Sequence, residues 1–463
     1  MATDKQKKVQ AMLRGGKDIT PKLIQELISD HAEEAKALKA KYSRYKAENL
    51  PIFDRTFSDE NKCNNKINND FRGLIVDQVV GYLLGKPITY QVDKNSYEHR
   101  DELYQEITKT LSDFNLRNNI QDLDMELVKK TSVCGYSFRL LYINPEGLPS
   151  IMNIDPWTVI YFEGDCGALE YALRYYESYD SEGDKIIVAE WYDSVNVTIF
   201  INGGKGFIED EKVAHLYNST PVILFKNNDE LMGDFDKVEN QIDAYDRVIS
   251  DSQNEVEEFR QAYMVFEDAE IDKETKDKAK QTGAFSLPEG GKAYFLIKDI
   301  KTEFYSEQKK TLSENIYKFS KSVDMSDEKF SGSAQTGESR KWKIIDLENK
   351  AIVKQNKLVR GLRTQMSLIW DSLKLMNSKL EGTSYLDIFF EFHRSLPQDL
   401  SYLGDVSQKF VGTISDRTRL GLMPFIDDVD YELAIMEQEG LYNPSLGDEL
   451  DEDDSKEGEL LDE

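Results

Sequence analysis

Residues 236–266 read DKVENQIDAYDRVISDSQNEVEEFRQAYMVF, and their pattern is the most informative about the architecture of the chain. Its apolar side chains mostly recur every three or four residues, which predicts one long helix with a narrow packing seam. The seam consists of Val238, Ile242, Tyr245, Ile249, Val256, Phe259, Tyr263 and Phe266. Four acids occupy a different face and are here named the acidic stripe: Asp236, Glu239, Asp243 and Asp246. Because isolated helices are marginal in water, such a helix needs neighbours that cover its seam.

Two further helices repeat this type of pattern. One is predicted from about Ser306 to Val323, and a longer one from Glu338 to about Met376, with Gly361 as a candidate bend point. The seams consist of Leu312, Ile316, Phe319 and Val323 on the first, and of Ile345, Ile352, Val359, Leu362, Met366, Ile369, Leu373 and Met376 on the second. The second helix also carries a basic stripe, namely Lys343, Lys350, Lys354 and Lys357. These lysines either face an anionic ligand or pair with acids of the protein.

The first half of the chain predicts helices followed by an antiparallel sheet. Thr20 and Pro21 form a helix start, as N-cap and first helical residue, of a helix to about Glu48. Further helices are predicted over 71–85 and about 101–134. From Gly135 to about Ile223, alternating runs separated by turns indicate an antiparallel region in an α+β domain. The predicted strands are Tyr136 to Ile143, Trp157 to Phe162, Leu169 to Tyr176, Ile186 to Trp191 and Val195 to Ile201.

The remaining segments are shorter and more polar. A β-like run, Ala293 to Ile297, lies in an insert between the first two long helices. Residues 326–337 are small, polar and glycine-bearing, which favours an exposed loop. A strand-like run from Tyr385 to Phe392 precedes two or three short helices that reach about Gly440. The tail, 448–463, contains ten acids and one lysine and has too little apolar surface to fold alone.

Composition excludes several classes of protein. The net charge of the 463 residues is −28, which argues against a sequence-specific DNA reader with a basic patch. Length alone suggests about three domains. Cys63, Cys134 and Cys166 are odd in number and scattered, which indicates a reducing compartment. Residues 1–10 do not resemble a secretory signal, and the longest apolar region, 73–84, is too short to span a bilayer. We therefore expect a soluble, intracellular protein.

One stretch of the sequence partly matches a phosphate-binding loop. Residues 81–90 read GYLLGKPITY, but only three residues separate Gly81 from Gly85, and Pro87 replaces the hydroxyl residue of a Walker-type loop. A Walker-type loop follows a strand and opens a helix. Here the residues before the loop have a helical pattern and 88–92 are strand-like, so the order is reversed. We predict instead a helix that ends at Gly85 in the left-handed conformation.

No catalytic, cofactor or metal motif emerges elsewhere. The four histidines, His31, His99, His215 and His393, have no neighbours at metal-ligand spacing, and no G-x-S-x-G motif occurs. The run 202–206, NGGKG, lies between two β-rich runs and predicts a hairpin turn. We therefore predict no cofactor, no metal and no enzyme activity.

Four motifs, in their order along the chain, resemble the portal proteins of tailed bacteriophages, the ring-shaped head–tail connectors. The motifs are Asn68 to Phe71 leading to 81–88, Pro221 to Asn228, Ile242 to Asp246, and Leu396-Pro397 before Ile414-Ser415 and Thr418. The resemblance covers nearly the whole chain. It implies an α+β portal fold with long helices and short antiparallel sheets.

The resemblance also implies a division of the chain. The implied parts are wing 1–235, stem helix 236–266, clip 267–305, stem helix 306–325, tunnel loop 326–337, wing long helix and strand 338–395, crown 396–445, and a disordered acidic tail 446–463. Such a protein forms a ring at one capsid vertex, and rings of twelve subunits are usual in the family. It is found in the virion, and in the host cytoplasm during assembly.

The implied partners include the packaging terminase large subunit, which hydrolyses ATP, and head–tail connector or adaptor proteins. Major capsid and scaffolding proteins and double-stranded DNA without sequence specificity complete the set, and no membrane is involved. The tunnel loop would touch DNA lightly through Lys329, Phe330, Ser331, Ser333 and Gln335, with Lys329 as a phosphate contact. The acidic stripe would line the channel, because like charge lowers non-specific affinity.

Each of these interpretations has a competing one. The seams are equally explained as intrachain core, the acidic stripe as an ordinary solvated face, and the tunnel loop as a flexible link. Two other function classes stay open from the residues alone. One is a coiled-coil scaffold without a channel, and the other is an enzyme that uses dispersed acids.

Overall fold

The computed structural model describes residues 4–58, 62–164, 168–259, 263–267, 290–296, 302–325, 344–395, 400–421 and 429–438, and the single residues 273, 277, 423 and 426. The chain divides into two compact units, Met1–Ser395 and Leu396–Glu463, rather than the three domains that its length suggests. The predicted α+β class is confirmed, since long helices are combined with short antiparallel sheets.

Eight helices of the first unit fall within the described residues. They are α1 Asp4–Arg14, α2 Pro21–Tyr45, α3 Phe71–Leu84, α4 Asp101–Arg117, α5 Ile120–Cys134, α6 Glu239–Phe259, α7 Thr302–Ser320 and α8 Ile345–Met376. The predicted start of α2 is confirmed, because the Thr20 hydroxyl accepts a hydrogen bond from the Leu23 backbone and Pro21 begins the helix. Short 3₁₀ turns cover Lys94–Tyr97, Pro156–Thr158, Ser378–Leu380 and Tyr385–Asp387.

The described strands form four antiparallel sheets. The strands are β1 Thr89–Val92, β2 Tyr136–Ile143, β3 Pro149–Ile154, β4 Val159–Glu163, β5 Leu169–Tyr179, β6 Lys185–Tyr192, β7 Asn196–Asn202, β8 Ile208–Ala214, β9 Val222–Lys226, β10 Tyr263–Glu267, β11 Lys292–Leu296 and β12 Ile388–Glu391. The largest sheet has the order β4-β5-β6-β7-β8, and the others are β3-β2-β9, β1-β12 and β10-β11. The predicted antiparallel region and the hairpin at 202–206 are confirmed.

The five-stranded sheet is covered on one face by α1 and α2. Ile24 and Leu27 of α2 are buried in one apolar cluster with Phe162, Trp191 and Phe200 of the sheet. The long apolar and aromatic side chains of alternating strand residues supply this core, as their period of two requires. The N-terminal part of α2 is thereby fixed to the sheet, and its C-terminal part contacts the start of α6.

The predicted helix over 236–266 is wrong after Phe259. The helix ends at Phe259, and Tyr263–Glu267 forms β10, whose residues pair with β11 in the register Tyr263↔Leu296 and Phe266↔Ala293. The run YMVFE is rich in aromatic and β-branched residues, which suit a strand when a partner is present. The predicted strand at 293–297 is that partner.

Two other helix predictions need correction. The helix predicted over 101–134 is two helices, α4 and α5, because Asn119 adopts a left-handed conformation with φ of 47°. Gly85 ends α3 but is right-handed, with φ of −63°. A Cβ atom at Gly85 would lie 2.4 Å from the Gly81 carbonyl oxygen and 2.6 Å from Ser395. Glycine is therefore required there by close approach and not by a left-handed turn.

The seam predicted on α8 is correct from Leu362 to Leu373, whereas Met376 beyond it is 46 % exposed. Leu362, Met366 and Ile369 are buried, whereas Ile345 and Ile352 are each 43 % exposed. The first half buries a different face, which contains Leu347, Ala351, Lys354 and Leu358. Neighbouring elements, and not apolar spacing, select the buried face of this part of α8.

Gly361 is a close-packing position within α8 and does not interrupt the helix. A Cβ atom there would lie 2.4 Å from two ring carbons of Phe225 on β9. The absence of a side chain lets the Phe225 ring reach the helix backbone. Gly361 therefore allows a close contact between α8 and β9.

The second unit contains three short described helices, as predicted. They are α9 Leu400–Lys409, α10 Asp416–Leu420 and α11 Val429–Gln438. Ser415 caps α10 by accepting a hydrogen bond from the Thr418 backbone, and Arg419 pairs with Asp416. The predicted loop 326–337 and the tail 446–463 lie outside the described residues. No helix within the described ranges has both the length and the apolar character that a bilayer crossing demands.

Replacing Gly361 with Ala should destabilise the protein by about 1–3 kcal/mol, because the new Cβ forces the Phe225 ring to move. Gly81 of α3 is the matched control, since it is exposed and a Cβ there meets nothing within 4 Å. Gly81→Ala should be neutral or stabilising by up to about 1 kcal/mol through helix propensity. Urea unfolding measures both variants, and equal stabilities would contradict this account of Gly361.

Candidate functional site

The helices α6 and α7 pack against each other, and both enter the body of the first unit beside α3. Phe71, the first residue of α3, makes edge-to-face contacts with Tyr245 of α6 and Tyr317 of α7, with ring centroids 5.1 and 5.8 Å apart. We name this region the junction. It comprises Asp234 to Asn254, Tyr317 to Val323, and the parts of α2, α3, α8 and segment 62–70 that contact them.

The acidic stripe on α6 faces cations of the same chain. Asp236 lies 2.6 Å from Lys41 of α2, and Glu239 lies 2.6 Å from Arg44. Asp243 contacts both Arg44 and the buried Arg72 of α3. These ion pairs bond α6 to α2 and α3.

Asp246, the fourth member of the acidic stripe, is 1 % exposed. It accepts hydrogen bonds from the backbone N–H of Asn69, at 2.8 Å, and from its side-chain amide, at 3.0 Å. Burial raises the pKa of Asp246, and the bonds from Asn69 oppose that rise. The competing interpretation of an ordinary solvated stripe is therefore wrong, because all four carboxylates are mostly covered.

Segment 62–70 runs along α6 as an extended chain and bonds to it at regular intervals. The backbone N–H groups of Asn69, Ile67 and Asn65 donate to Asp246, Ser250 and Asn254, at 2.8, 3.0 and 2.8 Å. Two extended residues advance by about 6.6 Å, and four helical residues by about 6.0 Å. The two repeats match closely enough for every second residue of the segment to meet every fourth residue of α6. We name these three contacts the ladder.

A buried ion pair joins the start of α6 to α8. Asp234 and Lys354 are almost fully buried, and the Lys354 Nζ lies 2.7 Å from the Asp234 carboxylate. The ammonium also donates to Ser132 of α5, at 2.7 Å, and to Asn227 after β9. Asn227 in turn donates to Asp234 at 3.1 Å, so the polar group of each residue is bonded to the next.

The charges of this pair shift each other. Burial works to raise the pKa of Asp234, but the Lys350 and Lys354 charges outweigh it and hold that pKa below its usual value. Burial lowers the pKa of Lys354 to about 8, against the opposing effect of Asp234. Each charge of the pair therefore favours the charged form of the other, and Lys350 adds to this effect on Asp234.

The basic stripe predicted on α8 pairs with acids, which decides between the two alternatives that the sequence left open. Lys350 lies 3.5 Å from Asp234, Lys354 forms the buried pair, and Lys357 lies 2.6 Å from Asp229. Lys343 lies outside the described residues. Each of the three described lysines therefore has a carboxylate partner within the chain.

The end of α7 is fixed by two side chains. Gln78 of α3 donates to the Val323 carbonyl at 2.7 Å and accepts from the Val323 N–H at 2.8 Å. Lys350 donates to the Ser320 carbonyl at 3.0 Å, which satisfies one of the last carbonyls of the helix. Because Lys350 also contacts Asp234, one side chain links the start of α6 to the end of α7.

The predicted tunnel-loop residues lie outside the described residues; they are Lys329, Phe330, Ser331, Ser333 and Gln335. Of the histidines, His31 is buried, with its Nδ1 2.8 Å from the Tyr175 hydroxyl, and burial lowers its pKa. His215 contacts the Asp193 carbonyl at 3.0 Å. Among the described residues, no three side chains suited to a metal ion lie together.

Sequence reasoning missed the ladder and the buried pair. The signal for the ladder was present, because Asp246, Ser250 and Asn254 recur every four residues, and an asparagine-rich run, NNKINND, occupies 64–70. The buried pair left no comparable signal. Asp234 and Lys354 are far apart in sequence, and each is one of many similar charges.

These features define a structural class of protein, in which a long helix pair is anchored in an α+β body. Residues 24–443 match the family described as phage portal protein, SPP1 Gp6-like, so the chain belongs to that family and the resemblance is confirmed. It is 26 % identical to the portal protein of Bacillus phage SPP1 over 467 residues, covering 93 % of this chain and 89 % of the relative. It is 25 % identical to the portal protein of Clostridium phage phiCD119 over 402 residues, covering 80 % and 85 %. This family is structural and not enzymatic.

Lys354→Met should destabilise the protein by about 3 kcal/mol, because it leaves the buried Asp234 carboxylate without its closest cation. Lys357→Met is the matched control on the same helix. Its partner, Asp229, has a side chain that is 71 % exposed, so the expected cost is about 0–1 kcal/mol. Chemical denaturation measures the free energy of unfolding of both variants. Similar losses of stability would show that the buried pair contributes no more than the exposed pair.

Asn254→Ala should release the Asn65 end of the ladder while the protein stays folded. The Asn65 N–H then lacks its acceptor, at a cost of about 1–3 kcal/mol, so amide exchange over 63–67 should accelerate roughly tenfold or more. Gln253→Ala is the control, because the bond that Gln253 makes among the described residues is to Glu257 on its own helix, at 3.3 Å. Hydrogen–deuterium exchange with mass spectrometry measures the amide exchange over 63–67 in both variants. Unchanged exchange in Asn254→Ala would refute the ladder.

Proposed function

We propose that this protein forms a closed ring at one vertex of a phage capsid and that double-stranded DNA is packaged and ejected through its central channel. The observation that carries the proposal is the family match over residues 24–443, with two portal proteins aligned over most of their length. The ring would also be the docking site for the packaging terminase large subunit and for head–tail connector proteins. Major capsid and scaffolding proteins would surround it.

The described elements support a revised division of the chain. The stem would consist of α6 and α7, and the clip would contain β10 and β11, because α6 ends at Phe259. The wing would include the rest of the first unit, and the crown would begin at Leu396, where the second unit begins. The junction would transmit force between stem and wing, since its ion pairs and ladder bond α6 to α2, α3 and segment 62–70.

The channel wall would be acidic, although the acidic stripe contributes less than its sequence suggests. Asp236, Glu239 and Asp243 keep side-chain exposures of only 13, 21 and 16 %, and Asp246 is too buried to face DNA. The acids of α7 that remain exposed are Glu303, Glu307 and Glu314. They would add to the repulsion that keeps a duplex from adhering. The tunnel loop, with Lys329, would make the nearest contacts with the DNA backbone.

Electron microscopy of the purified full chain tests the ring directly. We expect axial views of closed rings with a central hole. Rods, filaments or monodisperse globules would contradict the proposal, because they indicate a scaffold without a channel or a self-contained monomer.

Deleting 330–335 should leave ring assembly unchanged and should reduce DNA packaging or retention, because the loop would contact DNA and not a neighbouring subunit. Shortening the exposed β5–β6 turn at 181–183 is the matched control and should leave packaging unchanged. The measurement is packaged DNA that resists nuclease in assembled particles. Normal packaging after deletion of 330–335 would remove the assignment of the tunnel loop.

A further inference from the structure

The strands β10 and β11 form a sheet of two strands whose outer edges pair with no other strand among the described residues. Their antiparallel register runs from Tyr263↔Leu296 to Glu267↔Lys292, and within the described part of the chain each strand packs mainly on the other. A sheet of two strands is marginally stable in water unless a third strand or a packed helix supports it. The sheet therefore favours further strand pairing.

The residue types of both strands suit pairing at their outer edges. β10 reads YMVFE and β11 reads KAYFL, so four of the five residues in each strand are apolar or aromatic. Because successive residues of a strand alternate between two faces, both faces of the sheet carry such residues. Ala293 and Tyr294 of β11 are exposed in a single copy. The Tyr294 hydroxyl donates to the Glu267 carboxylate at 2.8 Å, which joins the two strands of one copy.

The strand β8 shows how this protein protects an exposed sheet edge. It is the last strand of the five-stranded sheet, and all seven of its residues are exposed. Four consecutive charged residues occupy it, Glu209, Asp210, Glu211 and Lys212. Charges on an edge strand prevent pairing with another chain. β10 and β11 carry one charge each and no proline, so their edges lack this protection.

The outer edges of β10 and β11 are complementary in charge and in direction. Glu267 ends β10 and Lys292 begins β11, and both are exposed at the same end of the sheet. Rotation about a ring axis preserves the direction of a strand along that axis. β10 of one copy would therefore meet β11 of the next in the antiparallel sense that they already have within one copy. Two different patches would meet, as a closed ring of more than two copies requires.

We propose that the outer edge of β10 in each copy pairs with the outer edge of β11 in the next copy. The sheets of all copies then join into one closed antiparallel sheet around the channel. This inference rests on the proposed ring and names one of its subunit contacts. Closure removes every unpaired edge of these strands, and the Glu267 carboxylate of one copy lies near the Lys292 ammonium of the next.

A closed sheet of this kind leaves an open bore. Each copy adds two interstrand spacings, or about 9.6 Å, to the circumference. The twelve copies that the resemblance implies would supply 24 strands, in a circle about 37 Å across or wider if the strands tilt. Barrels of 16–18 strands already enclose an aqueous channel. The proposed pairing is therefore compatible with the passage of DNA.

Mixed rings with one new cysteine in each chain test the pairing. One chain carries Glu267→Cys on β10, and the other carries Lys292→Cys, Ala293→Cys or Tyr294→Cys on β11, so no new disulfide can join β10 to β11 of one chain. Paired strands bring opposite Cα atoms to about 4.5–5.5 Å, which a disulfide spans. We expect oxidised mixed rings to yield covalent dimers with at least one of the three β11 variants.

Rings that contain only one of the two chains are the first control. Two β10 strands would be separated by a β11 strand, which places their Cα atoms about 9–10 Å apart and beyond the reach of a disulfide. Oxidised wild-type rings give the background from the native cysteines. The matched control uses Val213→Cys on β8, which is also exposed, and should give no dimer above that background. Mixed rings that form normally but give no dimer with any β11 variant would overturn the pairing and leave the ring intact.

Amide exchange distinguishes other occupants of these edges. Assembly should slow the outward amides of 263–267 and 292–296 roughly tenfold or more, while those of β8, 208–214, stay unchanged. Slow exchange already in separated subunits would mean that the chain covers its own edges. Fast exchange in rings until a connector protein or terminase is added would mean that a partner covers them. Either result would overturn the inference, whereas absence of rings in the wild type would overturn the proposed function.

Discussion

The buried pair of Asp234 and Lys354 is the constraint on which the rest of the junction depends. A buried charge is costly unless an opposite charge and further hydrogen bonds accompany it, and here Lys350, Ser132 and Asn227 supply them. The pair fixes the point at which the chain leaves the sheet region and starts α6. Because Lys350 also bonds the end of α7, the start of α6 and the end of α7 meet at one polar network.

The ladder extends this anchoring along α6. The pair holds only the start of the helix, whereas Asp246, Ser250 and Asn254 bond segment 62–70 over two further turns. Backbone N–H groups that would otherwise need water find their acceptors on one helix face. A helix held in this way resists displacement along its axis, since such a displacement would break several hydrogen bonds together.

Charge in this protein joins elements that are distant in sequence, which its composition does not reveal. Within the described residues, Lys41 and Arg44 of α2, Arg72 of α3, and Lys350, Lys354 and Lys357 of α8 each pair with a carboxylate of the same chain. The net charge of −28 therefore describes the whole chain and not the region around α6, where cations lie beside the acids.

Sequence patterns alone predicted the α+β class, the capped start of α2, most strands of the antiparallel region and the existence of the long helices. These follow from local rules, such as periodicity, capping and turn residues, which act over a few positions. The family followed from the order of motifs along the chain. The same patterns predicted a wrong end for α6 and a wrong buried face for the first half of α8. Those points depend on contacts between segments that are distant in sequence. Tyr263–Glu267 is a strand because it pairs with β11, and the covered side of α8 is the one that contacts β9 and the Asp234 network. Such contacts also turn the acidic stripe toward Lys41, Arg44 and Arg72, which are distant in sequence and whose approach no local pattern encodes.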